Sequence, residues 1–249
     1  MIENLDRRVL GAFQLVDAIS RKPLLNALPV RSASLKLRAK PGGLYVVFDA
    51  PGMSGLTTQF DVTSPWPAPA SFEVVVDDAS RRYLPRRAQV AFPRALTPLT
   101  DPNSVLAPQR VAVYPAPAAP TSPNWAVLRI SVQDAARNSL PWAATRVLRA
   151  SDSAVLASGM TDRRGEGLLA IPGLGVRANA NGGGAVMESS VAVLVQAIFD
   201  PSILNQNADW VPDPDLLLQA PDSPAFRRAS VAAQVAGGAV LPITLSIAL

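Results

Sequence analysis

Proline sets the terms for this chain. Twenty-four prolines and 15 glycines are spread through 249 residues, and each proline fixes its own φ and removes a backbone donor. Few windows are left for a long helix, whereas short Val, Leu and Ile runs between turn residues recur, which is the pattern of an all-β chain. Strands are predicted at 9–16, 34–38, 44–49, 71–76 and 110–114, then at 126–132, 145–150, 167–171, 190–199 and 230–235. Val231 to Leu249 is apolar enough to suggest a membrane span, but Gln234, Gly237, Gly238 and Pro242 interrupt it. From Ile243 apolar residues alternate with small or polar ones, so the stretch reads as a terminal strand pair.

The densest proline run, Tyr114 to Pro123, favours polyproline II and divides the chain nearly in half. Apolar residues make up 49% of the chain, enough for each half to bury its own core. The expected organisation is therefore two tandem β-sandwich domains, 1–113 and 125–249, joined by a Pro/Ala-rich linker at 114–124. A second proline cluster around Trp66 reads as a connecting loop.

The chain has no cysteine and no histidine. That removes disulfides, thiolate nucleophiles, zinc and iron–sulfur sites and the commonest general acid/base. Three lysines, Lys22, Lys36 and Lys40, leave arginine as the rest of the 23 basic residues. They are scattered as singles and pairs, from Arg7-Arg8 through Arg86-Arg87 to Arg227-Arg228, and form no stripe of the kind nucleic acid requires. They read as solvated faces. The opening Met1-Ile2-Glu3-Asn4-Leu5-Asp6-Arg7-Arg8 has acids before its bases and no apolar run behind it, so synthesis in the cytoplasm without a Sec signal is expected.

Several motifs suggest chemistry, and each has a plainer explanation. Gly182-Gly183-Gly184 lacks the Lys-Ser/Thr of a phosphate loop and, beside Asn179 and Asn181, reads as a surface turn. Asp200, Asp209, Asp213 and Asp215 could offer oxygens to calcium, but Pro201, Pro212 and Pro214 favour turns in which aspartate bonds its own backbone. Lys36 and Ser34 share a strand face by period two, the minimum for a serine–lysine dyad. Trp66, Trp125, Trp142 and Trp210 could form a sugar platform, or act as packing anchors. No catalytic, cofactor-binding or metal-ligating residue is assigned, and the chain is expected not to be an enzyme.

An internal repeat is the most informative motif. Asp78-Ala79-Ser80-Arg81-Arg82-Tyr83-Leu84-Pro85 matches Asp134-Ala135-Ala136-Arg137-Asn138-Ser139-Leu140-Pro141 at Asp, Ala, Arg, Leu and Pro, and Asp17-Ala18-Ile19-Ser20-Arg21-Lys22-Pro23 is a looser third copy. Each reads as a hairpin in which aspartate caps the turn and proline opens the next strand. The order from Ala126 is a strand ending Val-Gln-Asp, the Asp134 turn, a proline-led second strand, and Thr161-Asp162-Arg163-Arg164-Gly165-Glu166 before Leu168 to Leu174. This resembles the carboxypeptidase regulatory-like domain, a transthyretin-like β-sandwich, over about 126–249, with a more divergent version in the first half. The resemblance implies a non-catalytic module. No His-Glu-x-x-His peptidase motif can exist in a chain without histidine.

A signal-less pair of such sandwiches also resembles accessory proteins of contractile injection systems and phage tail-like particles. The Met1-Ile2-x-x-Leu5-Asp6 opening and Val211-Pro212-Asp213-Pro214-Asp215 are the compatible residues. The expected role is that of a structural or assembly component of such a particle, whose partners are other protein subunits, copies of itself included. Neither nucleic acid nor membrane insertion is expected, and export would follow only as part of a released particle. The alternative is a carbohydrate- or peptide-binding module.

Overall fold

A computed structural model describes residues 9–58, 66–174, 190–207 and 210–249. The glycine run at 182–184, the eight N-terminal residues and Asp209 lie outside the described residues. Strand is the dominant structure, and the two α-helices among the described residues, α1 (Ser54–Thr58) and α2 (Pro214–Gln219), are five and six residues long. No helix among the described residues is long and apolar enough to cross a membrane.

The chain divides into two compact units. The first holds Arg21–Asp78 and Pro85–Val113 with the chain up to Asp17; the second holds Tyr114–Leu249 with Ala18–Ser20 and Ala79–Leu84. The first unit contains β1 (Gly11–Asp17), β2 (Val30–Arg31), β3 (Lys36–Lys40), β4 (Leu44–Asp49), β5 (Ala70–Val76), β6 (Arg86–Phe92) and β7 (Gln109–Val113). One sheet runs β3-β4-β1-β7 and the other β2-β5-β6. Period-two alternation aims Phe13, Leu15, Tyr45, Val47, Val74, Val90, Phe92 and Val111 inward, all under a tenth exposed. Phe13 stacks on Tyr45 with centroids 5.1 Å apart. Each such side chain removed from water contributes about 1.5–3 kcal/mol.

The second unit contains β8 (Ala126–Asp134), β9 (Ala144–Arg149), β10 (Val155–Met160), β11 (Glu166–Ile171), β12 (Val191–Phe199), β13 (Arg227–Val235) and β14 (Val240–Ile247). Its sheets run β10-β9-β12-β13 and β11-β8-β14. Leu128, Ile130, Val147, Leu169, Val195, Leu245 and Ile247 fill the space between them. Residues of the 114–124 stretch lie along this unit: Arg129 donates to the Pro117 carbonyl, and Ala119 and Trp125 pack on Val127, Leu168 and Ala170.

Both units are wound alike. The first strand pairs antiparallel with the fourth and parallel with the seventh (β1 with β4 and β7, β8 with β11 and β14). The fifth pairs with the second and the sixth. The all-β sandwich-type architecture is as expected, but the repeated Asp turn is not one kind of hairpin. Only the Asp78 turn joins neighbours in one sheet, β5 and β6. The Asp17 and Asp134 turns each carry the chain from the first strand to a second strand in the opposite sheet. The looser copy is thus the structural equivalent, and what all three share is an arginine in left-handed backbone: Arg21, Arg81 and Arg137 at φ 58°, 55° and 69°. The terminal strands are likewise not a pair, since β13 lies in one sheet and β14 in the other. Alternation in β14 is as read, with Leu245 and Ile247 buried.

Candidate functional site

A sandwich offers its edges for assembly, and the edge strands among the described residues differ in how they are blocked. An edge presents unpaired N–H and C=O groups that template another strand unless charge, proline, a bulge or a cover prevents it. β3 carries Lys36, Arg38 and Lys40 and a register break at Lys36/Leu37. β2 is two residues long. β6 and β7 are tied to each other by side chains: the Ala91 N–H donates to Gln109 Oε1 at 3.1 Å, and Gln109 Nε2 donates to the Gln89 carbonyl at 3.1 Å. Arg86 adds a bond from Nη1 to the Ala112 carbonyl at 2.7 Å. That arginine is fully buried, which corrects the reading of the Arg86-Arg87 pair as a solvated face: Arg86 occupies a core-facing position of β6 and donates to the Arg87 and Ala112 carbonyls. β10 has a register break between Val155 and Ala157, β11 is covered, with 167–171 all buried, and β14 contains Pro242.

Among the described strands, β13 is the edge without these devices. It is nine residues long and pairs with β12 in unbroken antiparallel register from Phe199–Arg227 to Val191–Val235. It contains no proline, and its charges are confined to Arg227 and Arg228. Positions 227–234 are exposed or half-buried, and Val231 is 37% exposed. Small apolar residues (Ala229, Val231, Ala232, Ala233) make this edge flat enough for another strand to lie beside it.

A second feature lies at one end of the same unit. After β12, Asp200 accepts from the Ser202 N–H at 2.9 Å and caps a 3-10 turn over Pro201–Asn205. Asp213 caps α2 by accepting from the Asp215 N–H at 3.0 Å. Two of the four aspartates considered for calcium therefore act as caps, and among the described residues no three carboxylates gather. Trp210 lines the same cleft as Trp142, whose backbone is left-handed at φ 60°. The Thr161–Glu166 turn supplies the other wall. Asp162 Oδ1 accepts from the Arg164 and Glu166 N–H groups at 2.8 and 3.1 Å, and the Arg163 guanidinium sits 5.9 Å over the Trp142 ring. The result is a cleft of about 260 Å³ lined by Trp142, Trp210, Arg163, Leu204, Gln206 and Asn207.

The other residues singled out in the sequence serve the scaffold. Trp66 Nε1 donates to the Arg94 carbonyl at 3.0 Å, and Trp125 is packed as described above. Lys36 is ion-paired to Asp49 at 2.7 Å with its side chain 68% exposed, and its hydrogen bond holds the Asp49 carboxyl below the usual range, so it is not the desolvated amine a dyad needs. Sequence reasoning missed β13 as an open edge. The signal was present as a strand nearly bare of charge and proline, but sheet order decides whether such a strand is central or peripheral.

No family model matches this chain, and no curated protein matches it. Among solved structures it is similar to the Bacillus anthracis TIE protein (10% identity, TM-score 0.29, 96% of this chain and 34% of that one). It is similar to the Streptococcal ancillary pilin at 10% identity and a TM-score of 0.29, over 96% of this chain and 68% of the pilin. A third similarity is to BcpA, the major pilin subunit of Bacillus cereus, at 8% identity and a TM-score of 0.26, over 93% and 58%. The chain spans about a third of the first of these, and TM-scores this low assign no shared role.

Proposed function

We propose that this chain is a non-catalytic structural component that assembles with other protein subunits by strand addition at open sheet edges. The nine-residue edge of β13, unguarded among the described residues, carries the reading: with main-chain groups as the adhesive, no reactive side chain is needed. In this reading the chain is two tandem sandwich domains, 1–113 and 125–249, with 114–124 between them. The second is a carboxypeptidase regulatory-like, transthyretin-like module, and the assembly is a larger bacterial or phage-tail-like particle of the contractile injection kind. The test is the mass of the chain in material isolated from its own host, by size exclusion with light scattering. A defined large assembly is expected, and a lone 26.2 kDa species would refute the proposal.

The cleft favours a second reading, a carbohydrate- or peptide-binding module. Trp210, two side-chain amides and the Arg163 guanidinium held over the nearly buried Trp142 can take a flat apolar face with polar groups at its rim. Titrating acidic and neutral oligosaccharides and proline-rich peptides against intrinsic tryptophan fluorescence tests it. A saturable change lost in Trp210→Ala supports the module, and a flat response to every class removes it.

A further inference from the structure

Resting on the assembly reading, we propose that the partner strand at β13 is β13 of a second copy, running antiparallel about a two-fold axis at Val231. The argument is self-complementarity. In Arg227-Arg228-Ala229-Ser230-Val231-Ala232-Ala233-Gln234-Val235, a two-fold at the central residue sets Val231 against its equivalent. Ser230 then faces Ala232, Ala229 faces Ala233, Arg228 faces Gln234 and Arg227 faces Val235.

All nine residues overlap, and every guanidinium is opposite a neutral side chain. Moving the axis to Arg228 sets that arginine against itself and shortens the overlap to a third of the strand. A parallel arrangement stacks both arginines on their copies, and like charges directly opposite are destabilising. The contact pairs are otherwise small or β-branched, as close side-by-side strands require. Closed two-fold symmetry is also the commonest way for identical chains to meet, and it ends growth at this edge. The four-stranded sheet β10-β9-β12-β13 becomes one continuous eight-stranded sheet across two copies, and the edge that invites aggregation is covered.

Because the chain has no cysteine, a single introduced thiol reports the register without background. Directly opposed residues of an antiparallel pair have Cα atoms about 4.5–5.5 Å apart, within disulfide reach. Val231→Cys in the full chain is expected to give a disulfide-linked dimer under mild oxidation. Ser230→Cys alone gives none, but it links to Ala232→Cys when the two are mixed. Light scattering on the unmodified chain is expected to give twice 26.2 kDa. Gln234→Glu, which places a carboxylate opposite Arg228 at both ends, tightens the dimer about fivefold, and Gln234→Arg loosens it by a similar factor. Circular dichroism confirms that each variant folds. A monomeric chain whose Val231→Cys variant stays unlinked, found while host material still runs as a large assembly, overturns the second copy as partner and leaves strand addition to a different protein. Monomer in both overturns the assembly reading itself. Linkage of the Ser230→Cys variant to itself overturns the register.

Discussion

Gly165 offers a sharp test of how the Thr161–Glu166 turn is built. Its backbone is left-handed at φ 73°, and an added Cβ would lie 2.6 Å from the Val132 carbonyl oxygen and 3.1 and 3.2 Å from the Leu140 oxygen and nitrogen. None of those atoms belongs to a side chain that can rotate away. Gly173 is the internal control: φ is 78° and nothing among the described residues lies within 4 Å of its Cβ position. Gly173→Ala therefore meets only the left-handed penalty, about 1–2 kcal/mol. Gly165→Ala meets the same penalty and must also push apart the junction where the Val132 N–H donates to the Gly165 carbonyl at 2.8 Å and the Leu140 N–H to the Val132 carbonyl at 2.9 Å. Forcing atoms into a filled space adds about 1–3 kcal/mol, for about 2–5 kcal/mol in all. At about 2–4 °C per kcal/mol for a chain of this size, Gly165→Ala lowers the melting temperature by about 4–20 °C. Gly173→Ala lowers it by about 2–8 °C. Urea unfolding followed by circular dichroism and tryptophan fluorescence measures both. Equal losses would refute the claim that backbone crowding, and not merely conformation, requires glycine at 165.

Two further expectations follow from side chains that hold turns. Asp134 accepts from the Asn138 side-chain amide and the Asn138 N–H, both at 2.8 Å, and these bonds hold its carboxyl below the ordinary 3.8. A carboxyl with a depressed folded pKa contributes stability that is complete above the unfolded value and disappears as pH falls through the folded one. The unmodified chain should therefore lose more stability than Asp134→Asn as pH is lowered from just above 3.8, and parallel urea midpoints for the two would contradict this. Arg94, 7% exposed, donates to the Pro102 and Ala107 carbonyls from inside the loop that joins β6 to β7. Arg94→Leu leaves both oxygens without that donor, costs about 2 kcal/mol and speeds thermolysin cleavage within 95–107, where Leu96, Leu99 and Leu106 are exposed. An unchanged cleavage rate would mean the loop is held by other contacts.

Strands with clean alternation were legible to within a residue or two: 44–49 coincides with β4, and 126–132 falls inside β8. The unread strands have physical reasons. β6 opens with Arg86-Arg87, and a pattern that reads charge as surface cannot see that Arg86 is buried on backbone carbonyls. β10, Val155-Leu156-Ala157-Ser158-Gly159-Met160, has little intrinsic strand preference and is held by pairing to β9. β2 is two residues long and carries no period at all. The cleft was half legible. Trp142 and Trp210 stand out in the sequence as candidates for a sugar platform and the Thr161–Glu166 turn as a motif, but that they line one cleft is a long-range fact.

The two units differ in one strand, and local turn chemistry accounts for it. The third strand joins the fourth in the first unit, β3 to β4, but the second in the second unit, β9 to β10. Between β3 and β4 stand Pro41, Gly42 and Gly43, with both glycines left-handed at φ 75° and 65°. Successive positive φ values are what a tight hairpin with the right twist demands, so β3 folds back on β4, and the short β2 presents little to compete for it. Between β9 and β10 the tight turn comes one connection earlier. Asp152 Oδ1 accepts from the Ala154 N–H at 3.1 Å, Ser153 is left-handed at φ 58°, and the Ser153 N–H donates to the Arg149 carbonyl at 2.8 Å. There the hairpin closes on β9, and the Thr161–Glu166 turn must then carry the chain across to β11 in the other sheet. The connection that crosses between sheets is the one that walls the aromatic cleft. In the first unit the third-to-fourth connection is a hairpin within one sheet, so that unit has no counterpart of the crossing turn.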